Sequence, residues 1–170
     1  MMVAEPRTSF SDQLALGPEN RRAYTPVVEP KHPRSVQLVQ FWQEGEKSGG
    51  LVVGRDIPSR PIAAILRNLM VCEPIAEFSD FRIRHAGTAY IAHYGYDITG
   101  KLMSELYEPD IFKHNCRCAA EVIRSGRPEV LDANLSQFGI SRRHYEVVQL
   151  PVWGPDKTSR WMLCGIFRFE

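Results

Sequence analysis

Two side chains with metal-binding chemistry, His114 and Cys118, lie four residues apart in a segment with a helical pattern. That spacing places an imidazole and a thiol on one face of a helix, where they could hold one metal ion. A structural zinc site needs four ligands, and the other candidates are Cys72, His93 and Cys116. Cys116 projects to the far side of the helix from Cys118, at roughly 100° per residue. The sequence therefore favours buried thiols beside a surface histidine over a metal site.

Carboxylates offer a second kind of chemistry, general-base catalysis. Asp97 and Glu105 follow Tyr94 at short distance along the chain. A catalytic base of this type is a carboxylate in an apolar pocket, where its pKa is raised towards neutrality. Both acids lie in turn-like sequence that water reaches. A small α+β enzyme that uses one of them as a base is therefore an alternative and not the main prediction.

Other catalytic signatures are missing from the sequence. It contains no GxxxxGK[ST] phosphate loop, no HExxH and no GxGxxG after a strand. Residues 139–143, Gly-Ile-Ser-Arg-Arg, look like half of a nucleophile elbow. They lack the second glycine that lets the backbone turn tightly around the serine. We therefore expect a protein that is not an enzyme.

The composition is that of an ordinary globular chain. Its 170 residues are 44% hydrophobic and 24% charged, with a net charge of +1. This length is enough for one domain with a real core. The balanced charge gives no broad attraction to nucleic acid or to an anionic membrane. Because we find no signal peptide, no bilayer-length apolar run and no CxxC pair, we expect a cytoplasmic protein.

The order of the predicted elements indicates an α+β fold. Residues 1–33 contain five prolines among polar residues and are predicted to form a disordered or extended N-terminal arm. A helix over 35–47 opens a single domain that spans 34–170. Two strands follow, then three or four short helices, then three strands. This order predicts a five-stranded antiparallel sheet with helices inserted between strands 2 and 3.

The predicted boundaries follow from apolar periodicity and from turn residues. Strands are predicted at 69–74, 81–86, 129–135, 145–152 and 161–169. Helical segments are predicted at 62–68, 88–94, 102–106 and 110–125, with Thr88 as the cap of its helix.

Two motifs in the middle of the chain carry a family resemblance. Residues 80–88 read Asp-Phe-Arg-Ile-Arg-His-Ala-Gly-Thr, and residues 94–100 read Tyr-Gly-Tyr-Asp-Ile-Thr-Gly. They resemble the "fRyRlaGt" and "fGrDltG" patterns of a PAS-domain subfamily common in alphaproteobacteria. A Pro-Ser-Arg loop at 58–60 and the strand at 145–152 resemble further parts of it. The likeness spans roughly residues 41–169 and implies a sensory or interaction module without catalytic activity of its own.

The resemblance also implies a pocket between the sheet and the helices, suited to a small amphipathic ligand. The candidate binding residues are Tyr90, Tyr94, Phe112, His114, Cys116, Leu150 and Met162, with Ala119, Val148 and Cys164 beside them. Simple core packing is the commoner role for any one of these side chains. No cofactor is predicted by name.

A haem- or flavin-binding PAS sensor is a further alternative. Some PAS domains hold haem through a histidine on the helix that carries His114. With Ile111 at zero on a helical wheel, the apolar arc covers roughly 0–140° and His114 lies near 300°, which turns it away from a pocket. Residues 115–117, Asn-Cys-Arg, match part of a flavin photosensor motif, but they lie on a later helix than that motif occupies.

The N-terminal helix supplies the candidate surface for a partner. Leu38, Phe41 and Trp42 share one face, which could cover the sheet or pair with a second copy. No effector segment follows Glu170, so we expect output through a homodimer or a partner signalling protein. We expect neither nucleic acid nor a membrane as a partner.

Overall fold

The computed structural model describes residues 24–134 and 144–170. Six strands form one antiparallel sheet in the order β1-β4-β5-β6-β2-β3. The strands are β1 (Tyr24–Pro26), β2 (Leu69–Ile75), β3 (Asp80–Ala86), β4 (Glu129–Asn134), β5 (His144–Trp153) and β6 (Arg160–Arg168). The serine segment at 139–143 and most of the predicted arm lie outside the described residues.

Helices cover both sides of this sheet. They are α1 (Pro33–Lys47), a 3₁₀-helix (Arg60–Asn68), α2 (Thr88–Tyr94), α3 (Met103–Leu106) and α4 (Pro109–Ser125). The α+β class and the insertion of helices between β3 and β4, the predicted strands 2 and 3, are confirmed. Helix α1 begins two residues earlier than predicted, because Pro33 stands at its first position, where a missing backbone N–H costs nothing. In the described part of the chain, no helix is both long and apolar enough to cross a membrane.

The number of strands differs from the prediction, because the segment predicted as an arm contributes β1. Tyr24 pairs with Ala133 of β4, and the Val27 backbone N–H donates to the Val130 carbonyl at 2.9 Å. A three-residue strand that ends in proline is too short for an alternation pattern to detect. Proline is tolerated there because the strand lies at the edge of the sheet.

The segment that leads into α1 is anchored by a buried acid. Glu146 is 1% exposed, and its carboxylate accepts hydrogen bonds from the backbone amides of Lys31 and His32 at 3.0–3.1 Å. The His32 ring also stacks on Phe167, with 5.5 Å between the ring centroids. The start of the helix is thereby fixed to one end of the sheet.

The two sides of the sheet hold two separate hydrophobic clusters. We call the side covered by α1 and the 3₁₀-helix the α1 face, and the side covered by α2, α3 and α4 the cavity face. Successive side chains alternate between them as strand geometry requires, so Leu163 belongs to the α1 face and its neighbours Met162 and Cys164 to the cavity face.

The α1 face is closely packed. Leu38 of α1 is 0% exposed, and a Cβ atom added at Gly165 would lie 2.7 Å from its Cδ2 atom. The Trp42 indole N–H donates to the Pro151 carbonyl at 2.8 Å. Leu38 and Trp42 therefore cover the sheet of their own chain, which is one of the two roles predicted for them.

Candidate functional site

A cavity of about 250 Å³ lies between α4 and the cavity face of the sheet. Its apolar lining comes from the sheet and from α2, α3 and α4. These lining residues are Tyr24, Pro26, Met70, Tyr90, Met103, Tyr107, Ile111, Leu131, Val147, Met162 and Ile166. Its more polar lining consists of His114, Asn115, Cys118, Glu129, Gln149 and Cys164. The cavity thus combines an apolar body with a few hydrogen-bonding groups, which is the usual make-up of a small-molecule site.

The elements that reach the cavity are fixed by close backbone contacts. Gly87 at the start of α2 allows one of them, since a Cβ atom there would lie 2.3 Å from the Arg67 carbonyl oxygen. Gly87 and not Thr88 is the N-cap residue of α2, and no side chain caps this helix. The predicted role of Thr88 as the cap is therefore wrong. The glycine is needed so that α2 can approach the 3₁₀-helix and bring Tyr90 to the cavity.

Helix α4 presents two adjacent faces to the interior. One face carries Cys116 and Ala119 into the packed core, while His114 and Cys118 lie on the cavity side. The prediction that His114 points away from the pocket is therefore wrong. The helical wheel assumed that a single apolar arc faces inwards, whereas α4 packs that arc and turns the neighbouring, more polar arc towards open space.

The structure distributes the predicted binding residues over three environments. Tyr90, His114, Met162 and the accompanying Cys164 line the cavity. The following residues pack in the core beside it instead: Tyr94, Phe112, Cys116 and Ala119. Leu150 and Val148 lie on the α1 face, so their predicted place in the pocket is wrong. Alternation along β5 gives them the side opposite to Val147 and Gln149.

Several lining residues were missed by the sequence reading, among them Tyr24, Met70, Tyr107, Glu129 and Gln149. Alternation could have placed Gln149, because Val147 and Gln149 lie on the same side of β5. Once one residue of the strand is assigned to a face of the sheet, the other residues follow. For Tyr24 there was no such signal, because its strand was not predicted.

Two buried polar atoms at the cavity lack a conventional partner. The Tyr90 side chain is 3% exposed, and its hydroxyl lies near the Cys164 thiol, a weak hydrogen-bonding group, with no other partner in the described residues. Burial raises the pKa of Tyr90 well above its usual value. The Gln149 Oε1 atom is also buried and, among the described residues, accepts no hydrogen bond. Such groups are costly unless a hydrogen bond is supplied, here by a ligand or by water.

Among the described residues, Glu129 supplies the carboxyl group at the polar end of the cavity. Glu129 and Gln149 are direct partners in the β4–β5 ladder, so their side chains are neighbours on the same face. Burial, followed by repulsion from Glu121, raises the pKa of Glu129. Burial, followed by the charge of Glu129, also raises the pKa of the Cys118 thiol. These shifts describe a partly dry site in which burial and the charge of Glu129 outweigh the opposing charge of Arg117 at the Cys118 thiol.

His114 is held between two neighbours on α4. The Arg117 guanidinium donates to its Nδ1 atom at 3.3 Å, and its Nε2 atom lies 3.6 Å from the Cys118 Sγ atom. Because a guanidinium can only donate, Nδ1 is the acceptor in the contact with Arg117. Within residues 24–134 and 144–170, no cluster of three or more His, Cys, Asp or Glu side chains is arranged to hold a metal.

A haem does not fit this cavity. The volume of the cavity is about 250 Å³, which is below the range of about 300–1,000 Å³ that is typical of pockets for drug-sized ligands. The Asn-Cys-Arg segment does not suit a flavin either, because Cys116 packs in the core and does not line the cavity. The lining thus matches a smaller molecule than either cofactor.

The two acids considered as a general base have structural roles. The Thr99 hydroxyl and backbone N–H donate to Asp97 Oδ1 at 2.7 and 2.9 Å, and these hydrogen bonds lower the pKa of Asp97. Glu105 accepts from the Leu102 backbone N–H at 2.7 Å at the start of α3. Neither acid lines the cavity. A lowered pKa is the opposite of what a base that works near neutral pH needs.

An antiparallel sheet with short helices inserted between its strands, and a small cavity beneath them, is the architecture of a sensory-domain class. The family model described as PAS domain matches residues 30–167. The chain belongs to the PAS domain family. No curated protein and no solved structure matches it significantly. Membership indicates a sensory or interaction module, and the site itself must indicate the ligand.

Proposed function

We propose that this PAS domain is a sensor that binds a small amphipathic molecule in the cavity between α4 and the sheet. The observation that carries the proposal is an apolar cavity lined by Tyr90, whose hydroxyl has only the weak Cys164 thiol as a partner, and by Gln149, whose buried carbonyl oxygen accepts no hydrogen bond in the described residues. A ligand with one polar group would supply the missing hydrogen bond, and its apolar body would replace water.

The cavity volume sets the size of this molecule. An engineered apolar cavity of about 150 Å³ in another protein binds benzene, so about 250 Å³ suits one ring with a short substituent. Such a ligand would contact α4 and the sheet together, and its presence could shift how the helix packs on the sheet.

The methionines make this proposal directly testable. Of the five in the chain, Met70, Met103 and Met162 all line the cavity, and the other two are the N-terminal residues Met1 and Met2. In protein labelled with [¹³C]methyl-methionine, 2-phenylethanol should shift the three cavity signals and leave the N-terminal pair unchanged. Shifts of equal size in all five signals would contradict a cavity site.

A matched pair of variants separates occupancy of the cavity from surface binding. Cys118→Trp should fill the cavity and reduce the affinity about tenfold or more, as an overfilled site does. Lys113→Trp adds the same ring at an exposed position of α4 and should bind as the wild type does. Equal affinity in both variants would overturn the proposed site.

We also propose that the sensor passes its signal to another protein or to a second copy. Family membership supports an interaction role, and on the motifs at residues 80–88 and 94–100 we further propose that the chain belongs to the alphaproteobacterial PAS subfamily that they resemble. Because Leu38 and Trp42 are buried within the chain, this contact would use a surface other than theirs. Sedimentation velocity with and without 2-phenylethanol tests the second-copy form, which predicts a change in mass.

A further inference from the structure

We infer that the ligand of this cavity is a small organic cation, an amine with an apolar body, whose ammonium group binds between Glu129 and Gln149. The inference rests on the proposed function, because it concerns the same cavity and adds the chemical class of the ligand.

The charges around the cavity favour a cation. In the described part of the chain, Glu129 is the one carboxylate in the lining, and no lysine or arginine lines the cavity. His114 also lines it, and its Nδ1 atom accepts from the Arg117 guanidinium. Glu121 lies close enough to repel the charge of Glu129 and so adds to the negative potential there. Arg117 contacts His114 but does not line the cavity, so an anionic ligand would meet no lysine or arginine among the described lining residues.

The geometry of the acceptors points to a donor with several N–H bonds. Glu129 and Gln149 are paired across β4 and β5, which places a carboxylate and an unpaired, buried carbonyl oxygen side by side. An ammonium group has three N–H donors and can donate to both residues at once, whereas a hydroxyl has one. Tyr24, Tyr90 and Tyr107 are also part of the lining, and aromatic faces attract cations.

Three probes of nearly the same shape isolate the charge. Phenethylamine is a cation at neutral pH, 2-phenylethanol is neutral and phenylacetate is an anion. Affinities are measured from the shifts of the Met70, Met103 and Met162 methyl signals. We expect phenethylamine to bind about tenfold tighter than the alcohol, because a charge-assisted hydrogen bond is roughly twice as strong as a neutral one, and phenylacetate to bind most weakly.

Two variants assign the effect to one carboxylate. Glu129→Gln keeps the shape of the side chain and should lower the affinity for phenethylamine about tenfold, with the affinity for 2-phenylethanol unchanged. Glu121→Gln removes the exposed neighbouring charge, which does not line the cavity, and should change amine binding by no more than about twofold. Equal losses in both variants would indicate a diffuse field and would overturn the assigned contact.

A pH titration of the wild type tests the same contact without a mutation. Protonation of Glu129 on acidification removes its charge, while the amine stays charged, so amine binding should weaken at mildly acidic pH and alcohol binding should not. The other titratable or charged groups at this end of the cavity are Glu121, Cys118, His114 and Arg117. A positive charge on His114 at acidic pH would also weaken amine binding. The pH dependence of amine binding that remains in the Glu129→Gln variant measures this contribution of His114.

The outcomes distinguish this inference from the proposed function. If the alcohol or phenylacetate binds as tightly as the amine, the cation is refuted and the cavity remains a binding site. If amine affinity is independent of pH, the contact with Glu129 is refuted. If none of the three probes shifts the methionine signals, both the cation and the proposed ligand site are refuted.

Discussion

The two faces of the sheet are built from the same strands but differ in how completely they are filled. On the α1 face, aliphatic side chains such as Leu38 and Leu163 are 0% exposed, and there is no room for a Cβ atom at Gly165. On the cavity face, methionine, cysteine and tyrosine side chains surround about 250 Å³ of open space. Branched aliphatic residues pack rigidly, whereas thioethers and thiols adapt to irregular gaps. The difference suggests that one face stabilises the fold and the other leaves room for a ligand.

Buried polar groups without a partner occur in several places, and those at the cavity differ from the others in lying beside open space. Near α1, the Trp42 indole N–H and the Glu146 carboxylate both have hydrogen-bond partners within the chain, whereas the Ser35 hydroxyl has none among the described residues. At the cavity, the Tyr90 hydroxyl and Gln149 Oε1 lack a conventional partner. A group left unpaired beside open space, unlike one enclosed by packed atoms, can be satisfied by an incoming molecule.

The largest expected effect comes from truncating adjacent residues of β6 that point to opposite faces. Leu163→Ala should reduce the free energy of unfolding by about 3–5 kcal/mol, because a cavity opens in a filled core. Met162→Ala should cost about 2 kcal/mol, because Met162 already borders open space and has fewer contacts to lose. Urea unfolding measures both values. Costs that agree within about 0.5 kcal/mol would show that the two faces are equally well packed.

A smaller effect is expected from adding a single carbon to each face. Gly165→Ala places its Cβ atom 2.7 Å from Leu38 Cδ2 and 2.9 Å from Phe167 Cε2, and should cost about 1–3 kcal/mol. Val147→Ile extends a side chain into the cavity and should change stability by less than about 1 kcal/mol, in the stabilising direction. Thermal unfolding of the two variants gives the comparison. A destabilised Val147→Ile variant would mean that the cavity wall cannot accept more atoms.

The smallest expected effect concerns thiol reactivity and not stability. Burial raises the pKa of Cys72 well above its usual value and the pKa of Cys164 to about 11, so both thiols should resist alkylation near pH 8 in the native protein. Cys118 is half-buried at the cavity and should react first with iodoacetamide, although its pKa is also raised. Peptide mass spectrometry over time gives the order. Bound 2-phenylethanol should slow the labelling of Cys118, and labelling of Cys72 before Cys118 would contradict the placement of these thiols.

Much of the fold was predictable because local patterns and tertiary packing agree. The β2–β3 hairpin was predicted from alternation and is present with Met70 opposite Ala86. The turn-like sequence at Asp97 does form a turn, with Thr99 bonded to Asp97 and a φ of +87° at Gly100. The edge strand β1 was not predictable, because its pairing with β4 depends on a partner more than a hundred residues away and not on its own three residues.

The sequence by itself determined the α+β class, the PAS order of elements and the residue types available for a pocket. It could not decide which of these residues line the cavity. His114 and Leu150 show why, since the first lies at the cavity although the helical wheel turned it away, and the second lies on the opposite face. Periodicity states which side chains share a side of one element. Only the packing of elements against one another decides whether a given side is packed against a neighbouring element or borders the cavity. This packing depends on contacts between residues that are distant in the chain.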